Sequence, residues 1–261
     1  MEQNEFVSKL PENFLTDEKN PFFDTMPECV KEIPTSVREI AFQHEKYDLI
    51  LFGYQPWFLS PSIPTTSILK DPIFKNILKD TPIITIIGSR NMWLNSQESV
   101  VHMIKEANGR IIGNLPLVDR SSNIFSAASI LHWMLTGKKE KKWGIFPMPG
   151  ISEEDIKGSS KYGEILNQCL KNNTLYNYQN ELVKANGLSI NTNILFIEGR
   201  AKTIFKIWAN LILKKEAQGK KRSFWVSFFK YYLVIALFVV SPFELISTYV
   251  APVFRECIFL L

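Results

Sequence analysis

Only three cysteines and three histidines occur in 261 residues, which leaves several chemistries without their raw material. Cys29, Cys169 and Cys257 lie far apart and form no C-x-x-C pair, so neither a zinc site nor a disulfide framework is indicated and reduced thiols are expected. No other metal-ligand spacing occurs. The N-terminal stretch "MEQNEFVSKLPENFL" is polar and acidic, without the basic start and apolar run of a secretory signal. A net charge of +4, from 30 Lys+Arg and 26 Asp+Glu, is too small to suggest a nucleic-acid partner. Long uncharged runs fail as well near the C-terminus. From Ser223 to Phe254 only Lys230 and Glu244 are charged, yet the run between them, "YYLVIALFVVSPF", is shorter than the about 20 apolar residues of a spanning helix. Ser241-Pro242 also interrupts it.

What is present argues for an α/β chain with an apolar tail. Residues 1–46 hold Pro11, Pro21, Pro27 and Pro34 without a sustained period and read as an irregular covering segment. Residues 47–222 read as the main domain. There the runs "YDLILFGYQPWF" and "TPIITIIGSR" and the stretch "RIIGNLPLVD" predict strands near 48–53, 83–88 and 111–118. Between the last two, Val100, Met103, Ile104 and Ala107 share one helical face, closed by Asn108-Gly109. Strands read as apolar throughout and separated by helices imply a parallel sheet covered on both faces. "GRAKTIFKIWANLILKK" is amphipathic, with Ile204, Ile207, Trp208 and Leu211 on one face. Residues 223–261 form the hydrophobic tail. The cluster Lys214, Lys215, Lys220, Lys221 and Arg222 precedes it and suits anionic headgroups. The tail is therefore expected to contact membrane lipid at the cytoplasmic face of the inner membrane without a simple full crossing, with a tilted span extended through "FWVSFF" and a hydrophobic helix packed on the sheet as the alternatives.

In a parallel sheet, ligands bind beyond the carboxyl ends of the strands. Two junctions leave at that edge, "GYQPWFLSPSIP" and "GSRNMW". Gln55, Trp57, Ser60, Ser89, Arg90, Asn91 and Trp93 are thus candidates to line one cleft. Arg90 is permanently charged and suited to a carboxylate, phosphate or enolate. Asp119 and Arg120 follow the third strand at the same edge, with Asp119 the preferred carboxylate for proton transfer. His102 falls opposite the apolar face of its helix and is expected to be exposed. His132, inside "SILHWML", is expected to be a buried neutral imidazole.

Residues 47–118 resemble the third to fifth strands of the flavodoxin-like fold. More specifically, "FFDTMPE", "GYQPWFLSPS", "GSRNMWLNSQESV", "LVDRSSN" and "WMLTGKKE" look like the dialkylresorcinol condensing enzyme family, whose members act with a ketosynthase in making aryl lipids such as the resorcinol part of flexirubin-type pigments. The resemblance implies a flavodoxin-like parallel sheet and β-ketoacyl chains delivered by an acyl carrier protein. It also implies help with condensation, cyclisation or aromatisation, Arg90 and Asn91 stabilising enolate oxygens and Asp119 moving protons. Two departures accompany it. Before Tyr47 there is no strand followed by a Ser/Thr/Gly phosphate loop, which suggests a truncated reading of a longer gene or, as the alternative, a naturally degenerate member. Bulky Arg90, Asn91 and Trp93 also stand where flavodoxin loops carry glycine. FMN is therefore not expected to bind tightly, although a flavin-dependent oxidoreductase or quinone reductase, or a silent membrane-bound scaffold for a ketosynthase, would keep the same fold.

Overall fold

The computed structural model describes residues 21–37, 40, 42–119, 150–188, 190 and 192–236. Three strands, β1 (Ile50–Tyr54), β4 (Pro82–Ser89) and β5 (Arg110–Val118), form a parallel sheet in the order β1-β4-β5, as the spacing of the apolar runs predicts. Two-residue strands β2 (Pro56–Trp57) and β3 (Ser60–Pro61) pair antiparallel just beyond β1. Helices α3 (Ile63–Lys70) and α4 (Pro72–Leu78) lead from this hairpin to β4, and α5 (Leu94–Glu106) leads from β4 to β5. Pro72 forces the break between α3 and α4, because it has no N–H for a continuing helix. Asp71 starts the second helix by accepting from the Ile73 and Phe74 amides, both at 2.9 Å.

Both faces of the sheet are covered. On one, Phe52, Tyr54, Ile83 and Ile87 meet Leu69, Phe74 and Leu78 of α3 and α4 and Val100, Met103 and Ile104 of α5. On the other, Ile84, Ile112 and Leu115 meet α7 (Ser160–Lys171) and α8 (Tyr178–Lys184) through Tyr162, Leu166, Cys169 and Leu182. Short α6 (Glu153–Gly158) precedes them, capped by Ser152. Truncating a residue as buried as Leu78 to alanine would cost about 2–5 kcal/mol. The end of α5 follows the sequence reading: Asn108 takes the left-handed conformation (φ 56°), and Gly109 has no room for a Cβ, which would lie 2.7 Å from Ile104 Cγ2.

The strands are not apolar throughout. Thr85 is fully buried in β4 and donates to Asn114 Oδ1 of β5 at 3.0 Å, so two polar side chains satisfy each other inside the sheet. A bulge at Ile112 shifts the β4–β5 register between Ile83 and Ile84.

A third cluster lies apart from the sheet. The proline-rich N-terminal segment, expected to be irregular, contains α1 (Pro21–Asp24) and α2 (Met26–Val30). Their Phe22, Phe23, Met26 and Val30 pack against Ala209 and Ile212 of α9 (Thr192–Ala217) and Val226 and Phe229 of α10 (Arg222–Ile235). Arg222 fastens this junction by donating to Glu28 at 2.6 Å, to Glu216 at 2.7 Å and to the Asp24 carbonyl. On the apolar face of α9 read from the sequence, Ile207 is 62% exposed, while Ala209 and Ile212 on another face are buried. Among the described residues no helix is long and apolar enough to cross a membrane. The expected tail is thus described only as far as residue 236.

Candidate functional site

The candidate site grows from the carboxyl ends of the three strands. After β1, the chain doubles back through Phe58 and Leu59, both left-handed at φ 50° and 59°. Such a two-residue hairpin normally recruits asparagine and glycine, because a Cβ is disfavoured there. Here tertiary contacts hold it. Phe58 stacks on Phe22 with centroids 4.8 Å apart, Ser62 N–H closes onto the Gln55 carbonyl at 3.1 Å, and the Cys29 thiol reaches the Trp57 and Pro61 carbonyls at 3.1 Å each. Burial pushes the Cys29 thiol well up, so it acts as a neutral donor and not as a nucleophile.

After β4, the pairing continues one step past the strands: the Asp119 N–H donates to the Ser89 carbonyl at 3.0 Å. This sets Arg90 and Asp119 at neighbouring strand ends. Asp119 is 6% exposed. Burial lowers the Arg90 guanidinium, and the negative charge of Asp119 acts against that shift. Gln55 joins them from β1: its Cγ lies 3.8 Å from where a Cβ on Gly88 would stand, with Ile151 Cδ1 at 3.7 Å. A side chain at Gly88 would stand in van der Waals contact with both, so Gln55 and Ile151 close over the carboxyl end of the central strand. A cation, a carboxylate and an amide at one strand edge can bind and polarise a carbonyl or carboxylate and exchange a proton with it.

The remaining candidates divide. Asn91 is half-buried in the turn beside Arg90. Trp93 is 4% exposed and belongs to the core under α5, so it is not a cleft wall. Trp57 turns its ring edge-on to Phe22, centroids 5.3 Å apart, in the third cluster. Ser60 is fully buried in β3, and the hydroxyls of Ser60 and Ser89 take no hydrogen bond among the described residues. His102 lies outside the site, exposed as expected and 3.4 Å from Glu106. Arg120 and His132 lie outside the described residues. Trp57 and Trp93, the aromatic faces expected to flank a planar ligand, are both committed to packing.

Composition and period concealed a second polar assembly directly behind this edge. The Tyr54 hydroxyl donates to Gln97 Oε1 at 2.8 Å, Gln97 Nε2 donates to Thr85 at 3.0 Å, Thr85 reaches Asn114, and the Asn114 amide donates to Gln179 Oε1 at 2.7 Å. This chain ties β1, β4, β5, α5 and α8 together. Beside it, Glu198 of α9, fully buried, accepts the Asn95 N–H at 2.8 Å. Trp93 gives α5 no side-chain cap, so Glu198 supplies one from more than a hundred residues away. Lys202, one turn later, donates to the Asn95 carbonyl at 3.1 Å and to Ser99 at 3.3 Å. Burial raises the Glu198 carboxyl despite these hydrogen bonds and the Lys202 charge. The usable signals were Thr85 within "IITII", Asn114 within "IIGNLP" and the Glu198–Lys202 spacing of four. No protein family, curated protein or solved structure matches the chain.

Proposed function

We propose that the chain is a flavodoxin-like enzyme of dialkylresorcinol biosynthesis, working with a ketosynthase and an acyl carrier protein on β-ketoacyl chains. The pathway rests on the sequence resemblance. The observation that supports a reaction at this edge is the placement of Arg90 and Asp119 together at the carboxyl ends of β4 and β5, with Gln55 across Gly88. In this reading Arg90, with Asn91 beside it, holds the oxygen that gains negative charge when a β-ketoacyl chain enolises. Asp119 takes up the proton and returns it during cyclisation or aromatisation. Arg90 suits the first role because its charge is permanent and its half-buried position weakens screening by solvent. Glu198 acts indirectly, by fixing the start of α5 and with it the turn that carries Arg90.

The test is complementation of a pigment-producing host from which this chain has been deleted, scoring aryl-lipid product against protein level. Arg90→Ala and Asp119→Asn are expected to lower product on the order of 100-fold while the protein stays folded and abundant. Full restoration by both variants would leave the chain as a scaffold for the ketosynthase, and unchanged product on deletion would remove it from the pathway.

A further inference from the structure

Helices α9 and α10 close the third cluster with their inner sides and carry a second apolar surface on their outer sides. In α10 the inner residues Val226 and Phe229 are 5% and 0% exposed. Phe224, Phe228, Tyr231 and Ile235, spaced by four, three and four residues, share one stripe on the opposite side, and are 64%, 53%, 66% and 56% exposed. Ile207 of α9 is exposed too, and its neighbour Trp208 meets Phe228 with ring centroids 5.4 Å apart, which joins the two outer stripes. A helix that is apolar on both sides buries one side in its own domain and leaves the other for a different environment.

The charge around this surface identifies that environment. Residues 204–236 contain seven lysines and arginines and one acidic residue, Glu216. Glu216 is bound to Arg222 at 2.7 Å, and Arg222 is also bound to Glu28 at 2.6 Å. Lys206, Lys214, Lys220 and Lys221 are exposed around the stripe and at the turn between the helices. Lys215 lies 5.2 Å from the Trp225 ring. Exposed phenylalanine, tyrosine and isoleucine bordered by flexible lysines match the headgroup boundary of an anionic bilayer. A second copy of the chain would bring the same positive excess.

We propose that the outer face of the α9–α10 pair is an in-plane docking surface for anionic lipid. The aromatic stripe lies at the headgroup–acyl boundary, with the turn lysines on lipid phosphates. Among the described residues no helix has the length and apolarity to cross, and a stripe that runs along the length of α10 suits a contact parallel to the membrane. The inference stands apart from the reaction chemistry and is read out without product formation.

The experiment is flotation of the full chain with vesicles of phosphatidylcholine alone and of phosphatidylcholine with about 30 mol% phosphatidylglycerol, in low and high salt. Binding is expected to the anionic vesicles and to weaken with salt. The paired variant Phe224→Glu/Phe228→Glu should weaken it on the order of 100-fold, and Lys220→Gln/Lys221→Gln about 30-fold, with circular dichroism unchanged. Absence of wild-type binding overturns the proposal. So does binding that survives the glutamate pair, which would assign lipid contact to residues beyond 236. Conversion of an oligomer to monomer by that pair, with lipid binding intact, would make the face a contact between copies and overturn it as well.

Discussion

Replacing Glu198 tests whether the start of α5 is held from a distance. In Glu198→Ala the amide of Asn95 loses its acceptor inside the protein, which costs about 1–3 kcal/mol for a buried donor left unpaired. The vacated space around a fully buried side chain adds about 1 kcal/mol. A total near 3 kcal/mol corresponds to a fall in Tm of roughly 5–10 °C for a chain of this size. Glu198→Gln keeps the carbonyl acceptor and should fall much less. The pH dependence has a definite sign. Because burial raises the carboxyl above its ordinary value, the fold prefers the protonated form; that stability is full below about pH 4.3 and is lost as pH rises through the raised value. Glutamine cannot ionise, so the variant should gain on wild type as the pH climbs from about 4.5 into the neutral range. Urea unfolding across that range, with hydrogen exchange at residues 93–96, measures both effects. A loss under about 0.5 kcal/mol for the alanine variant, or equal losses for alanine and glutamine, would refute the capping role.

Gly113→Ala should destabilise by about 1–3 kcal/mol, because the new methyl would stand 2.6 Å from Tyr178 Cδ1; urea unfolding checks this, and a neutral result would mean that Tyr178 is not seated on β5. Cys29 should resist alkylation at pH 8 in the native protein and react once urea unfolds it, since it is fully buried and burial favours the thiol over the thiolate; residue-resolved mass spectrometry of the labelled chain measures this, and fast native labelling would contradict the Cys29–Trp57 contact. Flavin fluorescence should stay nearly unchanged when FMN is titrated to about micromolar concentrations, and submicromolar binding would move the oxidoreductase reading ahead of the condensing one.

The sheet was legible because its strands are β-branched runs bounded by turn signals, and β1, β4 and β5 start and stop within two or three residues of the expected positions. The same holds for α5, whose buried Val100, Met103 and Ile104 follow the helical period. Direction was not legible. Period reveals that Ile204, Ile207 and Leu211 share a face, but α9 also carries Phe205, Ala209 and Ile212 on another, and only the position of α2 and α10 decides which of the two is covered. The tight hairpin was hidden for a related reason. Phe58-Leu59 has no turn chemistry of its own, and its conformation is imposed by partners such as Phe22, distant in sequence. At the strand ends, the strand pattern put Arg90 and Asp119 at one sheet edge, where the Asp119 N–H meets the Ser89 carbonyl, whereas tryptophan carries no mark that separates a ligand wall from packing, and Trp93 proved to be core.

The third cluster joins the beginning of the described chain to its end, and this sets a timetable for synthesis. Phe22, Phe23, Met26 and Val30 leave the ribosome early, but their partners Ala209, Ile212, Val226 and Phe229 follow almost two hundred residues later. At about 5–20 residues per second the early aromatic residues wait on the order of ten seconds or more for cover. During that interval the hairpin at Phe58 lacks its α9 and α10 contacts, and α5 lacks the Glu198 acceptor. A nascent chain stalled before residue 205 would therefore display a sticky, unfinished surface, a ready substrate for chaperones, and its release from them would coincide with the arrival of α9 and α10.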